Sequence, residues 1–389
     1  MRFIPNQEES KLLEQITNIN HQEYTLIRFT DTMLTKSIID ANMPIRKLFS
    51  DNFLVDYNNI TPGEDKVMLD GLLIKNDIND IKISCYRPKT KKGDPRFWIY
   101  NFKKYIRSGE MIYITIYNNK ICIIPLVKNY FDINVISELF KPKDSPEVQE
   151  CINLIKQFAN KDILSVSPTK ANPKDIGDTL ERELNIPANS SKLADYKNLV
   201  ELKAKRKSSK TKDTLFSMVP NWSSSAIQSS PEMILTFGYP SKKYTDFIDL
   251  YVTVSNIPNP QGLFLEVDED NEVLIQKHID CKGIESNTCI WTFEDLKERL
   301  YSKHPETLWV IGDEIKKDGH IYFRYESIEH TCKPIFSSFL LLISQGKITF
   351  DWRGRLKKDG TAYKDKGHCF RLKTKFRNML FGESENIIL

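Results

Sequence analysis

The chain holds 389 residues, 40% hydrophobic and 28% charged, with a formal net charge of +4. That length is too great for one small core and predicts two domains. No apolar run approaches the ~20 residues of a membrane span. The longest, Phe336 to Ser344, is far too short, so no membrane association is expected. The opening MRFIPNQEESK lacks the apolar core of a signal peptide, which points to a cytoplasmic protein. The seven cysteines form no CxxC pair, Cys281 and Cys289 being the closest, and are expected to be reduced thiols without metal-ligand spacing.

Residues 1–140 read as a β-rich unit with one or two helices. VMLDGLLIKN, IKISCYR, MIYITIYNN and KICIIPLV are strands by their β-branched and aromatic content. Tyr117-Asn118-Asn119-Lys120 is a hairpin turn, because asparagine tolerates positive φ. Phe97 to Ile106 reads as a helix ended by Gly109, with Trp98 and Tyr100 as core aromatics. Over 141–172 the composition shifts to Lys, Pro, Asp and Ser around a helix near Val148 to Ala159, an interdomain linker. Residues 173–389 then alternate helices and strands. TLFSMVP, FIDLYVTV, GLFLEVD, EVLIQKHI, ETLWVIGDEI, HIYFRYESI and KITFDWR are strands, and Thr292 to Leu300 is a helix.

The stretch GDTLERELNIPANSSKLADYKNLVELKAKR carries the chemistry. Ile176, Leu180 and Leu184 recur every four residues, one apolar face of a helix beginning near Asp175 and bearing Glu181. From Leu199 to Arg206 the pattern alternates: Val200, Leu202 and Ala204 share one face of a strand, and Glu201, Lys203 and Lys205 share the other. Asp195 precedes Glu201 across a short polar turn, so the two carboxylates can meet at one hard cation such as Mg2+. Lys203, one step along the same face, can orient the attacking water and offset phosphate charge. Such a pattern also occurs on solvated strands, and its neighbours decide between the readings.

Charge is unevenly distributed. Arg87 to Arg107 holds eight Lys/Arg against one acid, Glu201 to Lys212 six against one, and Asp351 to Arg377 ten against three. Three basic segments on a near-neutral chain suit phosphate, where counterion release drives affinity.

The order Leu180-Glu181, Asp195 and Val200-Glu201-Leu202-Lys203 resembles the MvaI/BcnI type restriction endonucleases and their relative, the mismatch-repair nicking enzyme MutH. The resemblance implies a MutH-like endonuclease fold of the PD-(D/E)xK type over residues 173–389, a mixed sheet flanked by helices. It implies metal ligation of Mg2+ by Asp195 and Glu201, catalytic support from Lys203, and an accessory acid at Glu181. Relatives carry a His-Gly-Thr-x-Phe-Arg type motif near the C-terminus. Gly367-His368-Cys369-Phe370-Arg371 is similar but lacks the Gly-Thr pair. It yields His368 and Arg371 as DNA-contacting residues, beside Lys205, Arg353 and Arg355. His320 and His330 stand without motif context.

The segment Gly93-Asp94-Pro95-Arg96-Phe97-Trp98-Ile99-Tyr100 resembles the effector domains of EcoRII-type restriction enzymes, which share the pseudobarrel of plant B-three transcription factors. This implies a β pseudobarrel DNA-binding domain over residues 1–140. Its base-reading arm would hold Arg87, Lys89, Lys91 and Arg96, with Arg46 and Lys47 on a second arm.

The expected function is a type II restriction endonuclease: a monomer cutting double-stranded DNA at a CC-x-GG-like site such as CCWGG, with Mg2+. Binding of two DNA copies, one per domain, with the N-terminal domain as effector, stays open. A partner-directed nicking enzyme and a catalytically silent DNA-binding regulator are the alternatives.

Overall fold

The computed structural model describes residues 3–64, 66–140, 145–187 and 192–389. The chain divides into two units, Met1–Pro142 with Val267–Val273, and Lys143–Glu266 with Leu274–Leu389.

In the first unit the elements run α1 Gln7–Ile19, β1 Tyr24–Arg28, α2 Asp31–Lys36, β2 Ile39–Asp40, α3 Met43–Asp51, β3 Val67–Ile74 and β4 Ile78–Tyr86. β5 Arg96–Ile99, β6 Met111–Tyr117, β7 Lys120–Pro125 and α4 Ile133–Leu139 follow. The strands form one seven-stranded sheet in the order β1-β6-β7-β3-β4-β5-β2. β3 and β7 pair in parallel, whereas β6 and β7 form the antiparallel hairpin expected. Its turn residues Asn118 and Asn119 have φ of 49° and 59°. β6 is buried along both faces. Ile112 and Ile114 pack in the core with Ile83, Phe97, Ile45 and Phe49. Tyr113 and Thr115 on the other face take hydrogen bonds from the buried Asn20 side chain that follows α1.

The helix expected over Phe97 to Ile106 does not form. Arg96–Ile99 is a strand, paired through Cys85↔Phe97 and Ile83↔Ile99, and Lys103–Tyr105 makes a single 3-10 turn. A free strand edge on β4 outweighs local preference, and Asn101, at φ 58°, breaks the backbone after it. Trp98 is buried, as read from sequence, but Tyr100 is exposed.

The second unit contains α5 Pro146–Phe158, β8 Ile163–Leu164, α6 Asp175–Glu183, β9 Val200–Arg206, β10 Asp213–Ser217, α7 Ser230–Phe237, β11 Tyr239–Pro240 and β12 Phe247–Val254. It continues with most of β13 Leu263–Asp268 and of β14 Val273–Ile279, then β15 Glu285–Thr292, α8 Phe293–Lys303, β16 Glu306–Lys317 and β17 His320–Thr331. α9 Phe336–Ser344, β18 Ile348–Lys357, β19 Tyr363–Asp365, β20 Cys369–Leu372, α10 Arg377–Phe381 and β21 Glu385–Ile388 complete it. One sheet has the order β21-β17-β16-β9, with β9 parallel to β16. A second has the order β10-β20-β18-β12-β11, and β13-β14-β15 form a third.

α5 lies inside the stretch read from sequence as a linker. Its Val148, Cys151, Ile152 and Ile155 share a core with Ile176 and Leu180 of α6, Val200 and Leu202 of β9, and Leu308 and Val310 of β16. The longest apolar run becomes α9, which is buried along most of its length. No helix among the described residues is long and apolar enough to cross a membrane.

Candidate active site

β9 takes the edge of its sheet, and its alternation is the one the sequence predicts. Val200 and Leu202 enter the core with α6, while Glu201 faces away and pairs in register with Thr307. The five residues between Asp195 and Glu201 are closed by a tight turn. Tyr196 and Val200 exchange backbone hydrogen bonds of 2.9 and 3.1 Å, and Lys197 and Asn198 between them adopt φ of 52° and 61°. This turn brings Asp195 back alongside β9, where its Oδ2 accepts from the Leu202 N–H at 3.1 Å.

Glu201 has no exposed surface. Its Oε1 accepts from Lys203 Nζ. Lys303 Nζ, from the end of α8, lies 2.8 Å from its Oε2 and 2.9 Å from Asp195 Oδ1. The Lys303–Oε2 contact is an ion pair out of line for a hydrogen bond, so among the described residues Oε2 has no aligned donor. Burial pushes the Glu201 carboxyl up to about 7, against the pull of Lys203 and Lys303. At Asp195 burial also pushes upward, but Lys303 and Lys203 outweigh it and the carboxyl sits below its ordinary value. Glu181, on α6, is raised by burial and then by the nearby Asp195 and Asp178 charges. The four residues read from sequence as catalytic are therefore one electrostatically linked group.

Two residues join them that sequence reading missed. Lys303 is held by the two carboxylates above the usual lysine value despite the opposing effect of burial. Arg299, one helical turn earlier, donates to the carbonyls of Lys192 and Ser217. A lysine in the last turn of a helix is ordinarily explained by the helix dipole, so Lys303 had no local signal of its own.

The donor set fits a hard divalent cation. Two carboxylates converge on a single positive group, one of their oxygens is buried without an aligned donor, and all the donors are oxygens. Asp195 and Glu201 would hold Mg2+, which when bound supplies an acidified water and stabilises phosphate charge.

The candidate DNA contacts divide into two kinds. β18 alternates between Phe350, Trp352 and Leu356 in the core and Asp351, Arg353 and Arg355 on the opposite face. Register sets Thr349 opposite Arg371, Tyr251 opposite Arg353 and Asp249 opposite Arg355, which gives a polar sheet face. Arg371 donates to Asp351 at 3.1 Å and to the Lys212 carbonyl at 2.8 Å. Arg355 stacks 4.4 Å from the Tyr244 ring centre. His368 is turned inward. Its Nδ1 accepts from the Arg353 N–H at 2.9 Å, and Nε2 lies 3.2 Å from Ser230 Oγ and 3.1 Å from Tyr363 Oη. Burial lowers its pKa, so it supports β18 as a neutral ring and presents nothing outward.

Beyond Glu201 the chain enters a basic hollow of about 380 Å³ lined by Lys205, Lys207, Lys210, Lys212, Lys373 and Arg377 among others. Lys205 is tied to Asp213 and Thr374 at its rim. Lys212 is lowered by burial and by the cationic Arg371 and Lys373, the mark of a positive local potential.

In the first unit, two expected base readers are pinned. Arg87 donates to the carbonyls of Gly93, Tyr57 and Ile60. Arg96 is 8% exposed and faces Asp40 at 3.5 Å. Lys89 is exposed, and the Lys91 side chain lies outside the described residues.

No curated protein matches the chain. Among solved structures, "Restriction endonuclease MvaI-cognate DNA substrate complex" aligns with a TM-score of 0.52 and 18% identity, over 63% of this chain and 99% of that one. "Restriction endonuclease MvaI in the absence of DNA" aligns over the same shares at 18% identity, with a TM-score of 0.41. At that identity the first likeness is one of fold. The model of the MvaI/BcnI restriction endonuclease family matches residues 152–381, which contain Glu181, Asp195, Glu201, Lys203 and Lys303. The chain belongs to the MvaI/BcnI restriction endonuclease family, whose members are nucleases acting on DNA.

Proposed function

We propose that this chain is a type II restriction endonuclease that cuts double-stranded DNA at a short specific site in the presence of Mg2+. The convergence of Asp195, Glu201, Lys203 and Lys303 beside a basic hollow carries the proposal. Asp195 and Glu201 hold the metal. Lys203, bound to Glu201, orients the attacking water and offsets charge on the phosphate, while Glu181 acts as an accessory acid. In-line attack leaves a 5′-phosphate and a 3′-hydroxyl. The polar face of the β18 sheet meets base edges through Arg353 and Arg355, and Lys205, Lys207, Lys210 and Lys373 follow the backbone. A CC-x-GG-like target such as CCWGG is proposed from family resemblance.

Residues 1–140, outside the matched residues, are proposed as a pseudobarrel DNA-binding effector. Its exposed Lys89 and the Lys82–Asp70 surface suit phosphate better than Arg87 or Arg96 suit bases. Plasmid DNA incubated with the protein and Mg2+, followed by sequencing of the fragment ends, tests the central reading. Discrete double-strand breaks at one repeated sequence are expected. Nicks without breaks favour a partner-directed nicking enzyme, and binding without cleavage under any divalent metal overturns the assignment. Equal rates on one-site and two-site substrates count against the effector role.

A further inference from the structure

A second cluster of ligand-type side chains stands on the opposite face of the sheet that carries Glu201. Thr307 of β16 lies across from both Glu201 of β9 and Thr331 of β17. Side chains alternate along a strand, so Glu306 and His330 project to the other side, that of Val200, Leu202, Leu308 and Ile328. Cys332 follows His330 by two residues. One ligand atom from each of Glu306, His330 and Cys332 lies within 4.8 Å of the other two, and all three residues are half-buried. His330 Nε2 is 2.9 Å from Glu306 Oε2. Its Nδ1 is 4.0 Å from a carboxylate oxygen of Glu385, which β21 sets in register with His330.

We propose that Glu306, His330 and Cys332 form a binding site for a zinc-class divalent cation, with Glu385 as partner to the outer ring nitrogen of His330. The donor set decides the class. One oxygen, one nitrogen and one sulfur suit Zn2+ or Co2+ and are foreign to Mg2+, which takes oxygen ligands. Tetrahedral coordination at ordinary bond lengths puts ligand atoms on the order of 3.5 Å apart. Closing the present spread, at most 4.8 Å, calls for side-chain rotation on binding. A metal-bound histidine characteristically donates its other N–H to a carboxylate, the position Glu385 occupies. Three protein ligands leave a fourth place for water. Binding exchanges the Cys332 thiol proton for the cation, the proton leaving to solvent. The bound ion ties the start of β16 to the end of β17, the hairpin that supports β9, and so stabilises the native chain by mass action. This site is independent of the proposed cleavage chemistry.

Protein stripped of metal by a chelator and titrated with Co2+ tests the proposal. One equivalent is expected to bind with thiolate-to-cobalt charge-transfer absorption, to be displaced by Zn2+, and to raise the Tm. The oxygen donors Asp195 and Glu201 give no such band, so the signal distinguishes the two sites. Cys281→Ser, which removes the exposed thiol, keeps the band, and Cys332→Ser abolishes it. Glu385→Ala weakens cobalt binding about 10- to 100-fold. A wild-type protein without the band, or a band that survives Cys332→Ser, overturns the proposal. The thiol-retaining variant Glu306→Gln/His330→Gln provides a second reading, because unchanged cobalt affinity there overturns it equally.

Discussion

Lys303 Nζ stands 2.8 Å from Oε2 of Glu201, a carboxyl with no exposed surface. The same ammonium reaches Asp195 at 2.9 Å, so one lysine pairs with both carboxylates proposed to hold the metal. Lysine and a divalent cation therefore compete for the same oxygens. Removing one partner of a buried pair costs about 3–5 kcal/mol. Lys303 keeps 13% exposure and Lys203 still pairs with Glu201, so Lys303→Met is expected to lose less, about 2 kcal/mol, in the metal-free protein. The variant should recover more stability than wild type when Mg2+ or Ca2+ is added. Thermal unfolding with and without the cation checks this, and equal Tm gains in both proteins would refute the competition.

Cleavage should depend on Glu201 and Lys203 far more than DNA binding does. Lys203→Ala is expected to slow cleavage about 10²- to 10⁴-fold, and Glu201→Gln to remove it within detection. Glu181→Ala should cost less, since its link to the site runs through charge. Affinity for target DNA measured in Ca2+ should stay within a few-fold of wild type. If Lys203→Ala cuts plasmid at the wild-type rate in Mg2+, the assignment of β9 fails.

The candidate catalytic strand was legible because its information is local: a period of two over Val200 to Arg206 and a polar turn leading back to Asp195. Lys303 was not, because α8 meets β9 only through the tertiary fold and its last-turn lysine has a sufficient local explanation. Charge counting likewise overrated Arg87 and Arg96. A basic run does not reveal that one guanidinium will cap three backbone carbonyls and another face Asp40 from a buried strand. The helix expected over Phe97 to Ile106 yielded to pairing with β4, a long-range choice. His330 lacked sequence context for the same reason: Glu306 and Glu385 reach it only through strand register.

His304 gives the fold an acid limit. Its ring has no exposed surface, and Nε2 lies 2.9 Å from the Leu215 carbonyl, so that nitrogen carries the proton and Nδ1 accepts from Thr307 Oγ1. Burial, with Lys203 nearby, lowers its pKa to about 3. The unfolded ring, with an ordinary value of ~6.5, takes up a proton first as pH falls. Stability is thus unaffected above ~6.5, declines progressively below it, and stops declining only near 3. At pH 5 the loss from this group is about 2 kcal/mol. Denaturant unfolding at pH 7 and pH 5 should show a shallower decline in His304→Gln than in wild type. Parallel declines would mean that His304 is not the group responsible.

The basic hollow makes a quantitative prediction about salt. Lys210 is exposed at its mouth and Lys373 is half-buried in its wall. A lysine that holds a phosphate releases counterions on binding, and each such contact contributes about 0.9 to the slope of log affinity against log salt. Lys210→Ala/Lys373→Ala should therefore reduce that slope by about 1.8, and should weaken binding to target and random duplexes alike. Arg355→Ala should behave differently. Arg355 sits on the polar sheet face among Tyr244, Tyr251 and Asp249, where a base-edge contact is worth about 1–3 kcal/mol of discrimination. Its loss should compress the ratio of target to random affinity while leaving most of the slope intact. Titrations of both variants on both duplexes across a salt series separate the roles. A uniform loss in Arg355→Ala would move it from base reading to backbone contact.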